Sequence, residues 1–438
     1  MQCGPHGRHS RFAVHHPSGR RPARNGRLCL RIDALDLARG IAVLGIVVIN
    51  MEGFAGPFAA VGNPDWNGEA RVADFLSFSV AALFFEGKMR ALFTLLFGAG
   101  IVFFAARRSP GGDAGDGAAM APQLRRLGWL AVFGYLHYLV LWRGDILFLY
   151  AVAGTCALAF LRLSALRLIV AGLLSTLIFG AYCTWGVGPI MIAIDAAAHG
   201  HASAEQIASL SDYTDGLSIE SAADRALFSS GMAAQIGHRL TSDPFYPLLS
   251  LKISVFETLP LMLLGMGLAK GGFFTGAVSR SELARIGWAG CLLGLVWAAL
   301  SLAWLFHVGF SRAATPWLFY YTGLPGRMAM ALGYLAIVVR YAPAWMETAL
   351  GRRFAAAGRM AFTNYIATSL VMTFVFHGWG LGLIERDFGH GGLMVFAGAM
   401  GVAMLTWSAP WLRRFGSGPL ELLWRRLALL GASRRKRD

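Results

Sequence analysis

Charge is scarce in this chain. Asp, Glu, Lys and Arg make up 14% of its 438 residues, against about 25% in a soluble domain, while 56% are hydrophobic. That shortage excludes an ordinary soluble globular protein. The five cysteines (Cys3, Cys29, Cys156, Cys183, Cys291) form no CxxC and no metal-ligand spacing. They exclude a disulfide scaffold or a zinc cluster and read as packing residues. There is no phosphate loop of Walker type, no HExxH and no GxSxG. Histidine is missing from the whole stretch between His16 and His137. The first 27 residues carry six arginines without an apolar run, so they do not form a cleavable signal peptide.

What the chain has is long apolar runs. Segments of spanning length fall at about 37–57, 74–105, 127–142, 145–161, 166–188, 251–269, 286–307, 317–339, 360–378 and 392–411. The expected fold is therefore all-α, a polytopic membrane bundle of about ten transmembrane helices with both termini cytoplasmic. The run at 74–105 is broken at Glu86-Gly87-Lys88-Met89-Arg90, making 74–85 a short re-entrant or interfacial helix ahead of the true span. Charge distribution supports this layout. The N-terminal stretch through Arg39, with 105–127, 162–167, 270–286, 340–360 and 412–438, holds 29 of the 39 Lys and Arg but 8 of the 24 acidic residues. Such a bias across alternating loops is the positive-inside pattern. The basic surplus is topological, and nucleic-acid binding drops out.

The chain divides into a disordered basic arm (1–30), a membrane domain (31–430) and a basic tail (431–438). The arm reads equally as an over-called gene start. Either arm can meet anionic lipid or act only as a topological signal. Within the membrane domain, the outer segment 189–250 is expected to form one or two short amphipathic helices, serving as a lid or an inert loop. No internal repeat is evident.

Candidate chemistry concentrates in three places. In RIDALDLARGIAVLGIVVIN (31–50), Asp36, Val43 and Asn50 fall near one line of a helix, with Arg39 beside Asp36. Arg39 and Asn50 lie roughly 16 Å apart at about 1.5 Å per residue, half a bilayer core. Lipid offers these groups no partner, so they face other helices or a cavity. In RRLGWLAVFGYLHYLVLWRGDILFLYAVAG (125–154), His137 sits on an apolar helix that ends in the turn Arg143-Gly144-Asp145. His137 reads either as a satisfied core histidine or as a general base oriented by Asp145 or Glu86; Asp145 also reads as a helix cap and Arg143 as its snorkelling neighbour. In GRMAFTNYIATS (358–369), Asn364 and its hydroxyl neighbours read as helix packing or as a channel lining.

LDLARGIAVLGIVVIN, FTLLFGAG, RGDILFLYAVAG, GRMAFTNYIATS and GPLELLWRR (418–426) together resemble the YeiB-like proteins of domain-of-unknown-function family 418, in the family's order and from Arg31 onward. That resemblance implies a bacterial inner-membrane protein. The opening helix and DWNGEARVADFLSFSV (65–80) are more distantly similar to the transmembrane acyltransferases. The similarity implies transfer of an acyl group from cytoplasmic acyl-CoA to a glycan or lipid-linked acceptor across the membrane, with no metal or prosthetic group. It places Arg39 at the cytoplasmic mouth. Asn50 falls where one branch of those enzymes has asparagine and another an essential histidine. An amide cannot take a proton near neutral pH, which shifts the base role to His137 with Asp145. Asp36, Arg39, Asn50, Glu86, Arg143 and Asn364 are the expected substrate-binding residues. The alternatives are a carrier or channel for a small solute or lipid, or a non-catalytic protein that keeps the fold.

Overall fold

A computed structural model describes residues 23–108, 117–317 and 323–429. Residues 1–22 of the expected arm and the tail 431–438 lie outside them. The described residues form helices joined by turns and short loops, with no strand among them. In chain order the helices are α1 (Ala23–Ala55), α2 (Val72–Phe84), α3 (Lys88–Arg108), α4 (Gly117–Val140), α5 (Leu147–Leu158), α6 (Ala165–Ala198), α7 (Ala204–Phe228), α8 (Met232–Thr241), α9 (Tyr246–Leu249), α10 (Leu251–Lys270), α11 (Arg280–His307), α12 (Ala314–Trp317), α13 (Leu324–Glu347), α14 (Ala349–Arg359), α15 (Ala361–Phe376), α16 (Gly389–Phe415) and α17 (Pro419–Leu429).

Among the described residues, seven helical stretches are long and apolar enough to cross a membrane: Asp33–Ala55, Val72–Arg108, Ala165–Ala198, Leu251–Lys270, Arg280–His307, Leu324–Glu347 and Gly389–Phe415. α5 and α15 are apolar but shorter. Burial sorts them into shells. The windows in α1 and α2–α3 are 67% buried, whereas those in α6, α11 and α16 are 28%, 28% and 22% buried. The first helix is thus central, and the weakly buried ones present side chains such as Trp185 and Leu300 outward.

Local sequence sets the boundaries. Ser203 with Gln206 and Ser279 with Glu282 form reciprocal capping boxes that start α7 and α11. The break expected after residue 85 is present: α2 stops at Phe84, and Gly87 turns the chain at φ +69°. Elsewhere glycine permits close approach. A Cβ on Gly98 would lie 2.1 Å from the Met262 carbonyl oxygen, and one on Gly265 would lie 2.0 Å from that of Leu95. These two positions let α3 and α10 touch backbone to backbone.

Two corrections concern extent. α1 begins at Ala23, so it overlaps the arm expected at 1–30. The outer segment is more helical than expected, because α6 continues to Ala198 past Pro189 and α7 alone spans 25 residues. A proline removes one donor, but its neighbours complete the helix when the face is apolar. The C-terminal motif also finds a structural role. Glu421 of α17 accepts from the backbone N–H groups of Phe362 (2.9 Å) and Thr363 (3.1 Å), capping the start of α15.

Candidate active site

α1 organises the site. At its lower end, Arg39 Nη1 donates to Asp36 Oδ1 at 2.9 Å. The guanidinium reaches over α3, where a Cβ on Gly100 would lie 3.8 Å from Arg39 Nη2. Arg126 of α4 is near enough for the charges of Arg108, Arg39 and Arg425 to act on it. It stacks over Phe104 and Trp424, 4.3 and 4.7 Å from the ring centres. Arg39 is paired with Asp36, but with Arg108, Arg126 and Arg425 close by the guanidinium groups outnumber that carboxylate, which makes this end of the bundle anion-attracting.

Above it, a narrow cleft lies between α1 and α15. Val43, Ile46, Val47, Asn50 and Phe54 form one wall; Tyr365, Thr368 and Ser369 form the other. The α1 wall covers about three turns, beginning one turn above Arg39. The hydroxyls of Thr368 and Ser369 donate into their own helix, to the carbonyls of Asn364 (2.8 Å) and Tyr365 (3.3 Å). Asn50 is half-buried and supplies the one side-chain amide in the wall. As it stands this space holds about one water molecule, so a larger ligand requires α1 and α15 to part.

Behind Tyr365 lies the pair expected at the end of α4. His137 Nδ1 and Asp145 Oδ1 are 2.9 Å apart, with side chains 0% and 2% exposed. The other carboxylate oxygen accepts from the Phe148 N–H at 2.8 Å. Asp145 is therefore cap and histidine partner at once, one oxygen for each role. A carboxylate on Nδ1 selects the tautomer that leaves Nε2 as the acceptor. Nε2 is buried, with no hydrogen-bond partner among the described residues. The His137 ring stands 5.0 Å from the ring of Tyr365. The Tyr365 hydroxyl accepts from Ile146 N–H and donates to the Gly144 carbonyl, both at 3.3 Å, gripping the turn that carries Asp145. Trp142 ties the same turn to α1 through Nε1–H and the Gly53 carbonyl, at 2.9 Å.

The outer helices complete this arrangement. Arg239 of α8 is buried and donates to the carbonyls of Leu139 (3.1 Å) and Leu141 (3.4 Å), at the end of α4 where its last carbonyls lack partners. Burial pulls its guanidinium down to about 10, still charged at neutral pH.

Three expected residues lie elsewhere. Arg143 pairs with Asp224 (3.1 Å) and Glu220 (3.4 Å) of α7 and stacks 4.4 Å over Tyr246, so it anchors the outer helices and does not line the cavity. Glu86 does not orient His137. It sits at the α2–α3 break with Arg327, Lys88, Glu52 and Arg90 as its charged neighbours. In that group Arg90 bonds Glu257, and Arg327 lies 3.8 Å from the same carboxylate. Asn364 donates to the Ala357 carbonyl (3.1 Å) and Ser408 (3.2 Å), joining α15 to α14 and α16. Tyr365, Arg126 and Trp142 were not signalled as site residues. Tyr365 belongs to the stretch GRMAFTNYIATS, but a tyrosine among apolar residues carries no mark of what it grips. Among the described residues, one group is compatible with a metal ion, Asp195, His199 and His307, whose ligand atoms lie within 4.8 Å of one another at the ends of α6 and α11. Neither helix contributes to the cavity wall.

Residues 268–431 match the family model described as "Protein of unknown function (DUF418)". The chain is 27% identical over 418 residues to "Uncharacterized protein YeiB" of Escherichia coli (strain K12), covering 91% of this chain and 96% of that protein. It is also 27% identical over 406 residues to "Uncharacterized protein YxaH" of Bacillus subtilis (strain 168), covering 90% and 93%. A shorter similarity, 35% over 134 residues, links it to an "Uncharacterized 39.9 kDa protein in amylase 3'region" of Bacillus acidopullulyticus, covering 30% of this chain and 35% of that one. The family match thus lies in the C-terminal part of the chain, and YeiB and YxaH align along nearly its whole length, which makes the chain similar to the YeiB-like membrane proteins of the DUF418 family.

Proposed function

We propose that the protein is a transmembrane acyltransferase of the bacterial inner membrane, passing an acyl group from cytoplasmic acyl-CoA to an extracytoplasmic or lipid-linked acceptor. The observation that carries this reading is the buried His137–Asp145 pair, whose open Nε2 lies behind the narrow cleft that begins one turn above Arg39 on α1. The proposed topology has ten crossings with both termini cytoplasmic. This adds α4 and the shorter α5 and α15 to the seven long apolar stretches.

In this mechanism the phosphates of acyl-CoA meet Arg39 and Arg126 outside the cavity, and the acyl end enters between α1 and α15. Asn50 donates to the thioester carbonyl. The acceptor hydroxyl gives its proton to His137 Nε2 while its oxygen bonds the acyl carbon. The carbon–sulfur bond then breaks, and the departing thiolate takes the proton back from His137. Asp145 stays ionised, holding Nδ1–H and stabilising the transient imidazolium. Tyr365 stands between the histidine and the cavity, so its ring moves aside as the acceptor enters.

A second reading, a carrier or channel for a small solute or lipid, is favoured by the charged group of Glu86, Lys88, Arg90, Glu257 and Arg327 inside apolar helices. Such residues mark solute or ion pathways in other membrane proteins. Equilibrium binding separates the two. Purified protein should bind acyl-CoA, and Arg39→Ala should weaken binding about tenfold, the worth of a charge-assisted contact near 1.4 kcal/mol. No acyl-CoA binding, together with solute flux into proteoliposomes, would overturn the transferase reading in favour of the carrier.

A further inference from the structure

A second constellation of catalytic type lies between α1, α2 and the start of α16, and the transfer mechanism leaves it unused. Ser77 Oγ is 2.8 Å from His390 Nδ1. On the far side of the ring, His390 Nε2 is 3.1 Å from Glu52 Oε1, with the two side chains 4% and 18% exposed. The remaining Glu52 oxygen accepts from the Gly62 N–H at 2.5 Å, which fixes the carboxylate. His390 is also held edge-on to Phe78, with ring centres 5.6 Å apart. Three helices far apart in sequence thus bring a hydroxyl, an imidazole and a carboxylate into one line.

The scaffold beneath this line is built for position. Asp74 accepts from Arg71 N–H (3.0 Å) and from Gly391 N–H (2.8 Å), so one carboxylate caps α2 and pins the first turn of α16 against it. Gly389 opens α16 at φ +60°, where a Cβ would come 2.4 Å from Asp74 Oδ1. Only glycine allows that approach, which carries His390 to Ser77. A serine in a helix commonly donates to its own turn, and Ser77 also lies 3.0 Å from the Asp74 carbonyl. That bond alone needs no histidine, and a packing histidine needs no fixed carboxylate on its far nitrogen. Glu52 selects the Nε2–H tautomer and so makes Nδ1 an acceptor, which competes with the Asp74 carbonyl for the one Ser77 hydroxyl proton.

The surroundings indicate the substrate. Val72, Leu76, Val80 and Phe84 are exposed and four residues apart, forming an apolar stripe along α2 next to half-buried Ser77. α16 presents Val395 and Val402 in the same exposed manner. The hydroxyl therefore lies at the edge of a lipid-facing surface, at the positive end of a 27-residue helix.

We propose that Ser77, His390 and Glu52 are a nucleophile, base and orienting carboxylate acting on the carboxylic ester of a membrane lipid, in the outer leaflet under the topology above. His390 Nδ1 takes the Ser77 proton as Oγ bonds the ester carbonyl carbon. The ester carbon–oxygen bond breaks, and the departing alcohol oxygen takes that proton from His390. Water repeats the sequence on the acyl-serine, releasing a fatty acid and restoring the Ser77 hydroxyl.

A fluorophosphonate probe applied to the full-length protein in detergent and in lipid nanodiscs tests this. The expected result is one phosphonyl adduct on the peptide containing Ser77, absent in Ser77→Ala. Labelling should slow by about 10²-fold or more in His390→Gln, the usual worth of a positioned base. No adduct, or equal labelling of wild type and Ser77→Ala, would overturn the proposal. Should Ser77→Ala fail to fold, Ser77→Cys keeps nearly the same volume. Its alkylation by iodoacetamide at neutral pH should then be at least ten times faster with His390 than with His390→Gln, and equal rates would overturn the proposal.

Discussion

At the scale of single residues, Asp145 divides its two oxygens between two roles. One holds His137 Nδ1 and the other caps the first turn of α5. Substitutions can separate these roles. Asp145→Asn keeps an acceptor of the same shape but loses the charge that stabilises the imidazolium. It should lower turnover by about 10²-fold or more while leaving the unfolding temperature in detergent nearly unchanged. Asp145→Ala removes the cap as well and should cost a further ~1 kcal/mol of stability. Thermal unfolding followed alongside acyl-CoA turnover checks both. Equal turnover in Asp145→Asn and wild type would leave Asp145 a cap alone. The pairing of His137 with Asp145 was legible in the sequence because both groups flank one short turn. Tyr365 was not, since it meets that turn across more than 200 positions of chain and no local pattern records the contact.

At the scale of helices, backbone approach decides what the bundle tolerates. α3 and α10 meet through Gly98 and Gly265, each directly against a carbonyl of the other helix. Gly265→Leu should therefore cost about 1–3 kcal/mol as an overpacked contact, read as a lower midpoint in thermal or denaturant unfolding in detergent. Gly128, on α4 with open space around it, should accept alanine with little change. The apolar stretches and the break at Glu86-Gly87 were legible because hydropathy and a charged interruption are local signals. The role of Glu86 was not. It shares a charged group with Arg90, Glu257 and Arg327, and residues on α3, α10 and α13 meet there only through tertiary packing. The length of α6 was misread for a related reason. Pro189 and the polar residues after it resemble a helix end, but the helix continues to Ala198.

At the scale of the whole molecule, charge and cavity follow one axis. Basic residues gather at the end of the bundle bearing Arg39, Arg126 and Arg425, the cavity rises beside α1, and the buried histidine lies behind its upper wall. The outer helices close over that wall through Arg239 and Arg143, which grip the end of α4 and the turn that follows. Such an axis suits a reaction whose donor and acceptor arrive from opposite faces. The direct test is turnover of labelled acyl-CoA by protein reconstituted into vesicles of bacterial lipid, comparing wild type with His137→Ala. Label should leave the coenzyme when acyl-CoA is supplied on the face bearing Arg39, at a rate about 10²–10⁴-fold greater than in His137→Ala. Turnover unchanged by His137→Ala would contradict the assignment of this histidine as the base.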